Sequence, residues 1–253
     1  MNKTALITGA TAGFGEACAH EFASYGWNLI ITGRREDRLT ALRSELESKH
    51  NVNVLTLTFD VRELEAVNLA IDSIPQEVKS SLHLLINNAG LAVGKGPIDE
   101  GVVDDWERMI DTNVKGLLYV SKAVIPILKE NGDAQIINIA SIAGKQVYPG
   151  GNVYCASKHA VDALSQAMRI DLVSHGIKVT NIAPGAAETE FSVVRFKGDQ
   201  NEADSVYQGY QPLLAKDIAE TAYFAATRPP HVTLNDIVIM PTAQASPGVL
   251  HKG

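Results

Sequence analysis

The stretch Thr4-Ala5-Leu6-Ile7-Thr8-Gly9-Ala10-Thr11-Ala12-Gly13-Phe14-Gly15 couples a short apolar run to a turn with three glycines. Thr4 to Ile7 has the length and apolar character of a strand buried on both faces. Helical spacing of apolar residues then runs from about Gly13 to Tyr25. Glycines at the corner permit a tight turn, close approach of backbone to a phosphate, and close packing of helix on strand. The helix N-terminus then faces the anion. Taken alone, such a loop is equally well an ordinary strand-to-helix turn; its place on the first strand of an alternating chain is what points to dinucleotide binding.

That alternation is visible outward from the corner. Strand-length apolar runs occur at Asn28–Thr32, Val52–Leu57, Leu82–Ile86, Gln135–Ile139, Ile177–Ile182 and Asp236–Met240, which with the first makes seven. Segments of helical period separate them, the second carrying Leu39, Leu42 and Leu46. Strands apolar on both faces and joined by helix-length crossovers predict an α/β fold, a Rossmann-type doubly wound parallel seven-stranded sheet with helices on both faces. No Pro/Gly/Ser-rich linker and no internal repeat divides residues 1–253, so a single dinucleotide-binding and catalytic domain is expected. Two regions break the rhythm. Residues 188–212 are a long polar stretch of the kind that forms a substrate loop, and the tail 241–253 is irregular, either a frayed end or an arm on another subunit.

Composition narrows the function. In 253 residues, 22 Lys and Arg face 29 Asp and Glu, a formal net charge of −7. With 45% hydrophobic and 20% charged residues the chain matches a globular protein with a substantial core. No apolar run approaches the length of a membrane span, and a secretory pattern is missing, so the cytoplasm is the expected compartment. An acidic balance without a basic block argues against nucleic acid; small molecules or further copies of the chain are the expected partners. Cys18 and Cys155 both fall in helical sequence and read as reduced, packed thiols. The seven histidines have no metal-ligand spacing, so no metal site is expected.

An NAD site places a carboxylate after the second strand to bind the ribose hydroxyls. Here Thr32-Gly33-Arg34-Arg35 stands instead. Two guanidinium groups attract a 2′-phosphate, which makes NADP(H) the expected cofactor; the competing reading has Arg34 and Arg35 merely opening a charged helix surface. Asp60-Val61 follows the third strand, where Asp60 either contacts the adenine or caps a helix. Tyr154 and Lys158 are four apart on a helix and therefore share a face. By themselves they mean little. They are joined by Ser141 after the fifth strand, Asn113 in a helix, and Asn87-Asn88-Ala89-Gly90 after the fourth strand.

In this order the motifs resemble the short-chain dehydrogenase/reductase family over essentially the whole chain: Thr-Gly-x-x-x-Gly-x-Gly at 8–15, Asn-Asn-Ala-Gly at 87–90, Asn113, Ser141, Tyr154-x-x-x-Lys158, and Pro184-Gly185 with Thr189. The chemistry can be argued beside the resemblance. Oxidation of a secondary alcohol releases a proton as hydride leaves, so a proton-exchanging group is needed. Lys158 and the positive nicotinamide would lower the phenol of Tyr154 from its ordinary pKa of about 10, making it base in oxidation and acid in reduction. Ser141 would hydrogen-bond the substrate oxygen. The resemblance further implies that Lys158 binds the nicotinamide ribose, and that Asn113 holds a water in the proton path. It also implies cofactor contacts from Thr8, Gly9, Thr11, Ala12, Gly13, Phe14 and Gly15, from Asn88, Ala89 and Gly90, and from Pro184, Gly185 and Thr189.

Within the family the wording at 8–15, 32–35, 150–154 and 189–199 is closest to the NADP-dependent 3-hydroxy acid dehydrogenases, which act on serine, allo-threonine or malonic semialdehyde, with sulfoacetaldehyde reductases in the same neighbourhood. Such substrates are anions, so the site needs a cation or several donors beyond the catalytic set. Arg195 is the first candidate, with Tyr148, Gln146 and Lys145 behind it; alternatively Arg195 is a surface residue paired with Asp199 or Glu190. The expected activity is NADPH-dependent interconversion of a small anionic aldehyde or ketone and its hydroxy acid. The alternatives are a reductase of neutral alcohols and carbonyls such as sugars, or a non-catalytic NADP-binding sensor, which would have no need of the proton path. Helices holding Val114–Leu128 and Val153–Leu172 are richer in apolar residues than one core-facing stripe requires, and the resemblance implies a homotetramer built through them.

Overall fold

The computed structural model describes residues 3–253. Its first half runs β1 (Thr4–Ile7), α1 (Gly13–Ser24), β2 (Asn28–Gly33), α2 (Glu36–His50), β3 (Val54–Thr58), α3 (Leu64–Asp72), α4 (Gln76–Lys79) and β4 (Leu82–Asn87). The second half begins with α5 (Val103–Ile110), a π-turn over Asp111–Gly116, α6 (Leu117–Asn131), β5 (Gln135–Ile139), α7 (Asn152–Leu172) and β6 (Lys178–Pro184). It ends with β7 (Ala187–Glu188), α8 (Glu190–Arg195), α9 (Gln200–Ser205), β8 (Leu213–Leu214), α10 (Ala215–Ala226), β9 (Asp236–Ile239) and a hairpin of β10 (Gln244–Ser246) and β11 (Val249–Leu250).

The main sheet has seven strands in the order β3-β2-β1-β4-β5-β6-β9, and its pairings are parallel. All seven expected strands are present, with ends within two residues of the sequence reading. Alternate side chains of each strand face opposite layers. Ala5, Ile7, Leu29 and Ile31 pack with Phe22 of α1, Leu39 and Leu46 of α2, and Ile218 of α10. Leu6, Ile30, Leu85 and Ile136 pack on the other side with Val67 of α3, Val124 and Leu128 of α6, and Val161 and Leu172 of α7. Each such fully buried Leu or Ile contributes about 1.5–3 kcal/mol, which is why an apolar strand with two covered faces needs helices on both sides.

β1 sits between β2 and β4, so the connection direction reverses there and a crevice opens beyond the strand ends. Both irregular regions close over this crevice, which changes two expectations. Residues 188–212 are no open loop: they hold α8 and α9 and are closed at their ends by the short β7–β8 pair, with Leu213 N donating to Ala186 O at 3.0 Å. Nor is the tail frayed. It folds into a hairpin against its own chain, where Gln244 Oε1 accepts from Ala186 N at 2.7 Å and Gly253 N donates to Gly209 O at 3.0 Å.

Candidate active site

The crevice is a cleft of about 750 Å³. Among the candidate site residues singled out from the sequence, all but Thr8, Gly15, Asn87, Asn113, Lys145 and Gln146 line it. Gly9 and Gly13 take left-handed backbone at φ +67° and +58°, and a Cβ on Gly15 would lie 2.4 Å from Gly9 O. The turn is therefore closed to side chains at its base, and the N-terminus of α1 is left without a side-chain cap. Thr8 and Gly15 act from beneath. Thr8 Oγ1 accepts from Asn88 N and Ala89 N, each at 3.0 Å, while Asn88 Nδ2 donates to Thr8 O at 2.9 Å and Gly9 O at 3.1 Å. These bonds lock the ends of β1 and β4 together under the turn.

At the corner after β2, the two arginines differ. Arg34 is two-thirds exposed, and Asp60 is its ion-pair partner at 3.7 Å. Arg35 turns inward, donating from Nη2 to Thr11 Oγ1 at 2.8 Å and Thr11 O at 3.2 Å. Asp60 caps no helix, since α3 starts after Glu63; it lies on the cleft wall and holds Arg62 Nη2 at 2.7 Å. Burial pushes its carboxyl up, but the bonds from Arg62 and the nearby Arg34 outweigh that and leave it below the ordinary value.

On α7, Tyr154 and Lys158 point from one face into the cleft and both are buried. Lys158 Nζ donates to Ile139 O at 2.9 Å, and burial lowers its pKa to about 8. Burial pushes the Tyr154 phenol up; a hydrogen bond with Ser141 draws it down, Tyr148 pushes it up, and Arg195 draws it down. Lys158, whose ammonium is turned to a strand-end carbonyl, is not among the groups that shift this phenol in the protein alone. Ser141 caps the single 3-10 turn Ile142–Gly144, its Oγ accepting from Ala143 N at 3.1 Å. Asn113 lies in the π-turn behind Gly90. Its side chain closes a ring with Leu91 (Oδ1 from N, Nδ2 to O, both 2.8 Å) and donates to Ser157 Oγ at 2.9 Å. Asn113 is therefore placed just beneath the cleft wall with its amide nitrogen fully engaged.

The substrate candidates separate sharply. Arg195, from the end of α8, donates from Nη2 to Tyr148 OH at 2.9 Å, and its guanidinium carbon stands 5.4 Å from the Tyr148 ring centre and 5.8 Å from that of Tyr154. Its Nε is buried with no partner. Neither Asp199 nor Glu190 pairs with it. Gln146 is exposed and outside the cleft, because Tyr148 and Pro149 turn inward while Gln146 and Val147 face away. Lys145 also lies outside, bound to Asp162 at 2.6 Å and to Asp236.

With this geometry in hand, comparison with known proteins is informative. The family model of the short chain dehydrogenases matches residues 3–200. The chain belongs to that family. This dehydrogenase is 48% identical to sulfoacetaldehyde reductase 2 of Chromohalobacter salexigens over 97% of its own length and 96% of that protein. It is 45% identical to the NADP-dependent 3-hydroxy acid dehydrogenase YdfG of Salmonella typhi, over 96% of this chain and 97% of that one. Among solved structures, the closed form of serine dehydrogenase complexed with NADP+ aligns at a TM-score of 0.91 and 43% identity, covering 99% of this dehydrogenase and all of that chain.

Several lining residues of the dehydrogenase were not singled out as site residues from the sequence. Phe191 packs on Tyr154 with ring centres 5.7 Å apart, Tyr207 OH donates to Ala187 O at 2.8 Å, and Gln244 reaches in from the tail. Each comes from the two irregular regions. Only their long-range packing brings them to the cleft, and no local spacing marks them.

Proposed function

We propose that this dehydrogenase is an NADPH-dependent oxidoreductase that interconverts a small anionic aldehyde or ketone, such as sulfoacetaldehyde or malonic semialdehyde, with its hydroxy acid. The observation that carries the substrate class is Arg195, a cation inside the cleft with an unpartnered buried Nε beside the Tyr154 phenol. A lone buried donor on a permanently charged group is costly unless an acceptor joins it, and a carboxylate or sulfonate supplies one. A neutral sugar hydroxyl could accept from that donor but would leave the guanidinium charge without a counter-ion.

The cleft fits the cofactor: the turn admits backbone but no side chain at Gly15, the N-terminus of α1 is open, and Arg34 is available for a 2′-phosphate. Gly9, Thr11, Ala12, Gly13 and Phe14 would hold the pyrophosphate. Asp60 and Val61 would hold the adenine side, and Asn88 to Gly90, Pro184, Gly185 and Thr189 the nicotinamide side. When bound, the nicotinamide supplies the hydride.

The protein supplies the proton and the polarisation. A phenol pushed up by burial keeps its proton at neutral pH, so Tyr154 is set as the acid of carbonyl reduction. Ser141 donates to the same substrate oxygen and stabilises the developing alkoxide. Lys158, near its own midpoint at about 8, is the group able to return a proton toward Tyr154. Asn113 holds the wall behind Gly90 in place, and a water in that path would have to be held by its main-chain carbonyl or the remaining lone pair of Oδ1. We place the protein in the cytoplasm as a homotetramer; exposed Leu118 on α6 and Ile170 on α7 support the second point.

A kinetic panel tests the substrate class. With NADPH, sulfoacetaldehyde and malonic semialdehyde should be turned over with a KM well below that of a neutral aldehyde of equal length. Arg195→Ala should erase most of this preference, raising KM for the anions by about tenfold or more. Equal KM values for charged and neutral substrates would refute the reading.

A further inference from the structure

The lid helix and the dinucleotide corner are joined by charge. Glu190, the first residue of α8, receives Arg35 Nη1 on Oε2 at 3.3 Å and Arg38 Nη1 on Oε1 at 2.9 Å, across more than 150 residues of sequence. Hydrogen bonding from Arg38 outweighs burial, and with Arg35 holds the Glu190 carboxyl below its ordinary value. Two features set this contact apart from a chance surface pair. Both arginines also donate to Thr11 O, at 3.2 and 3.4 Å, so carboxylate, guanidinium groups and glycine turn form one bonded unit. Beside it, Thr189, the cap of α8, rests on the same turn, where a Cβ at Gly13 would stand 3.4 Å from the Thr189 Cβ. The far end of this six-residue helix is Arg195.

The three arginines of the corner therefore have different employment. Arg34 is exposed with only a loose pair to Asp60, Arg35 is divided between Thr11 and Glu190, and Arg38 makes the shorter bond to Glu190 on the lid. We propose that Glu190 and Arg38 are positioning residues: their ion pair latches α8 onto the cofactor corner, so one contact sets both the retention of the dinucleotide and the placement of Arg195 over Tyr154. The second half of this statement rests on the reading of Arg195 given above; the first half does not.

Cofactor binding without substrate tests the latch. Dissociation constants of NADPH and NADH, measured by nicotinamide fluorescence on the full-length protein, should rise about two- to fivefold in Glu190→Gln, within the range expected of exposed but paired charges. Arg38→Gln should weaken both cofactors by the same factor, and the double variant should be no weaker than the worse single one. Four results overturn the latch. Tighter NADPH binding in Glu190→Gln would make Glu190 only an internal competitor of the phosphate. A loss in Arg38→Gln confined to NADPH would make Arg38 a phosphate ligand. Unchanged constants, or additive losses in the double variant, would leave the contact without a role. If instead Arg195→Ala has no effect on KM for anions while these constants move as stated, the substrate reading fails and the latch stands.

Discussion

Tyr154 shows how little a residue's chemistry follows from its identity. The same phenol in water would titrate near 10; here burial opposes its charged form while Ser141 and Arg195 favour it, and burial wins. That balance holds the proton for donation to a carbonyl. Tyr154→Phe should retain NADPH affinity within about threefold, since Lys158 and the glycine turn are untouched, and should lose about a hundredfold or more in kcat. Steady-state kinetics beside a fluorescence titration checks both parts. The tyrosine and lysine were legible from a four-residue spacing and the company of Ser141 and Asn113. Their protonation was not. In the protein alone burial is the largest influence on this phenol, and Lys158, whose ammonium donates to Ile139 O, is not among the groups that shift it.

At the scale of elements, the β1–α1 corner and the lid behave differently. The corner is written locally: three glycines stand where the backbone turns, and Gly15 has no room for a methyl group against the backbone oxygen of Gly9. Gly15→Ala should push strand and helix apart, lower stability by about 1–3 kcal/mol as an overpacked site, and abolish measurable NADPH binding. A denaturant melt and a cofactor titration together would show it, and wild-type values for both would contradict this account of the turn. The lid carries no comparable local signal. α9 reads Gln-Asn-Glu-Ala-Asp-Ser, polar but for one alanine, and α8 is six residues long, too short for a periodic pattern. α8 is stabilised from outside, by Glu190 on the corner arginines and by Tyr207 bonding Ser192 and Ala187. The π-turn that carries Asn113 is a similar case, since its residues read as ordinary helix.

For the whole molecule, the net charge of −7 opposes an anionic cofactor and an anionic substrate together. Local cations answer it: Arg34 at the corner, Lys158 at the centre, Arg195 under the lid. Lys158 leaves a mark on global stability. Its folded pKa of about 8 lies below its ordinary 10.5, so between these values the unfolded chain binds the proton that the folded one has shed. Stability of the cofactor-free protein should therefore rise with pH from about 8 toward 10, and fall back as pH drops through 8. Urea midpoints across that range would show the rise, and Lys158→Met should flatten it. The exposed apolar positions make a second global prediction. Light scattering should report four chains, and Ile170→Glu on α7 should shift the population to smaller species; a monomeric wild type would refute the assembly.

The seven parallel strands, the glycine turn at the end of the first one and the candidate catalytic residues were legible in the sequence alone, whereas the strand order came from the structure. Apolar runs of alternating length, glycines at a strand end and a four-residue helical spacing are short-range features that have few physical solutions. Tertiary structure decided the rest. It turned Arg195 into the cleft and Gln146 and Lys145 out of it, divided Arg34, Arg35 and Arg38 among different partners, and folded the tail back over its own chain. Those outcomes depend on which polar group meets which, across separations from 17 to 155 residues. No local pattern encodes that, because a long polar side chain goes where packing has left it a partner.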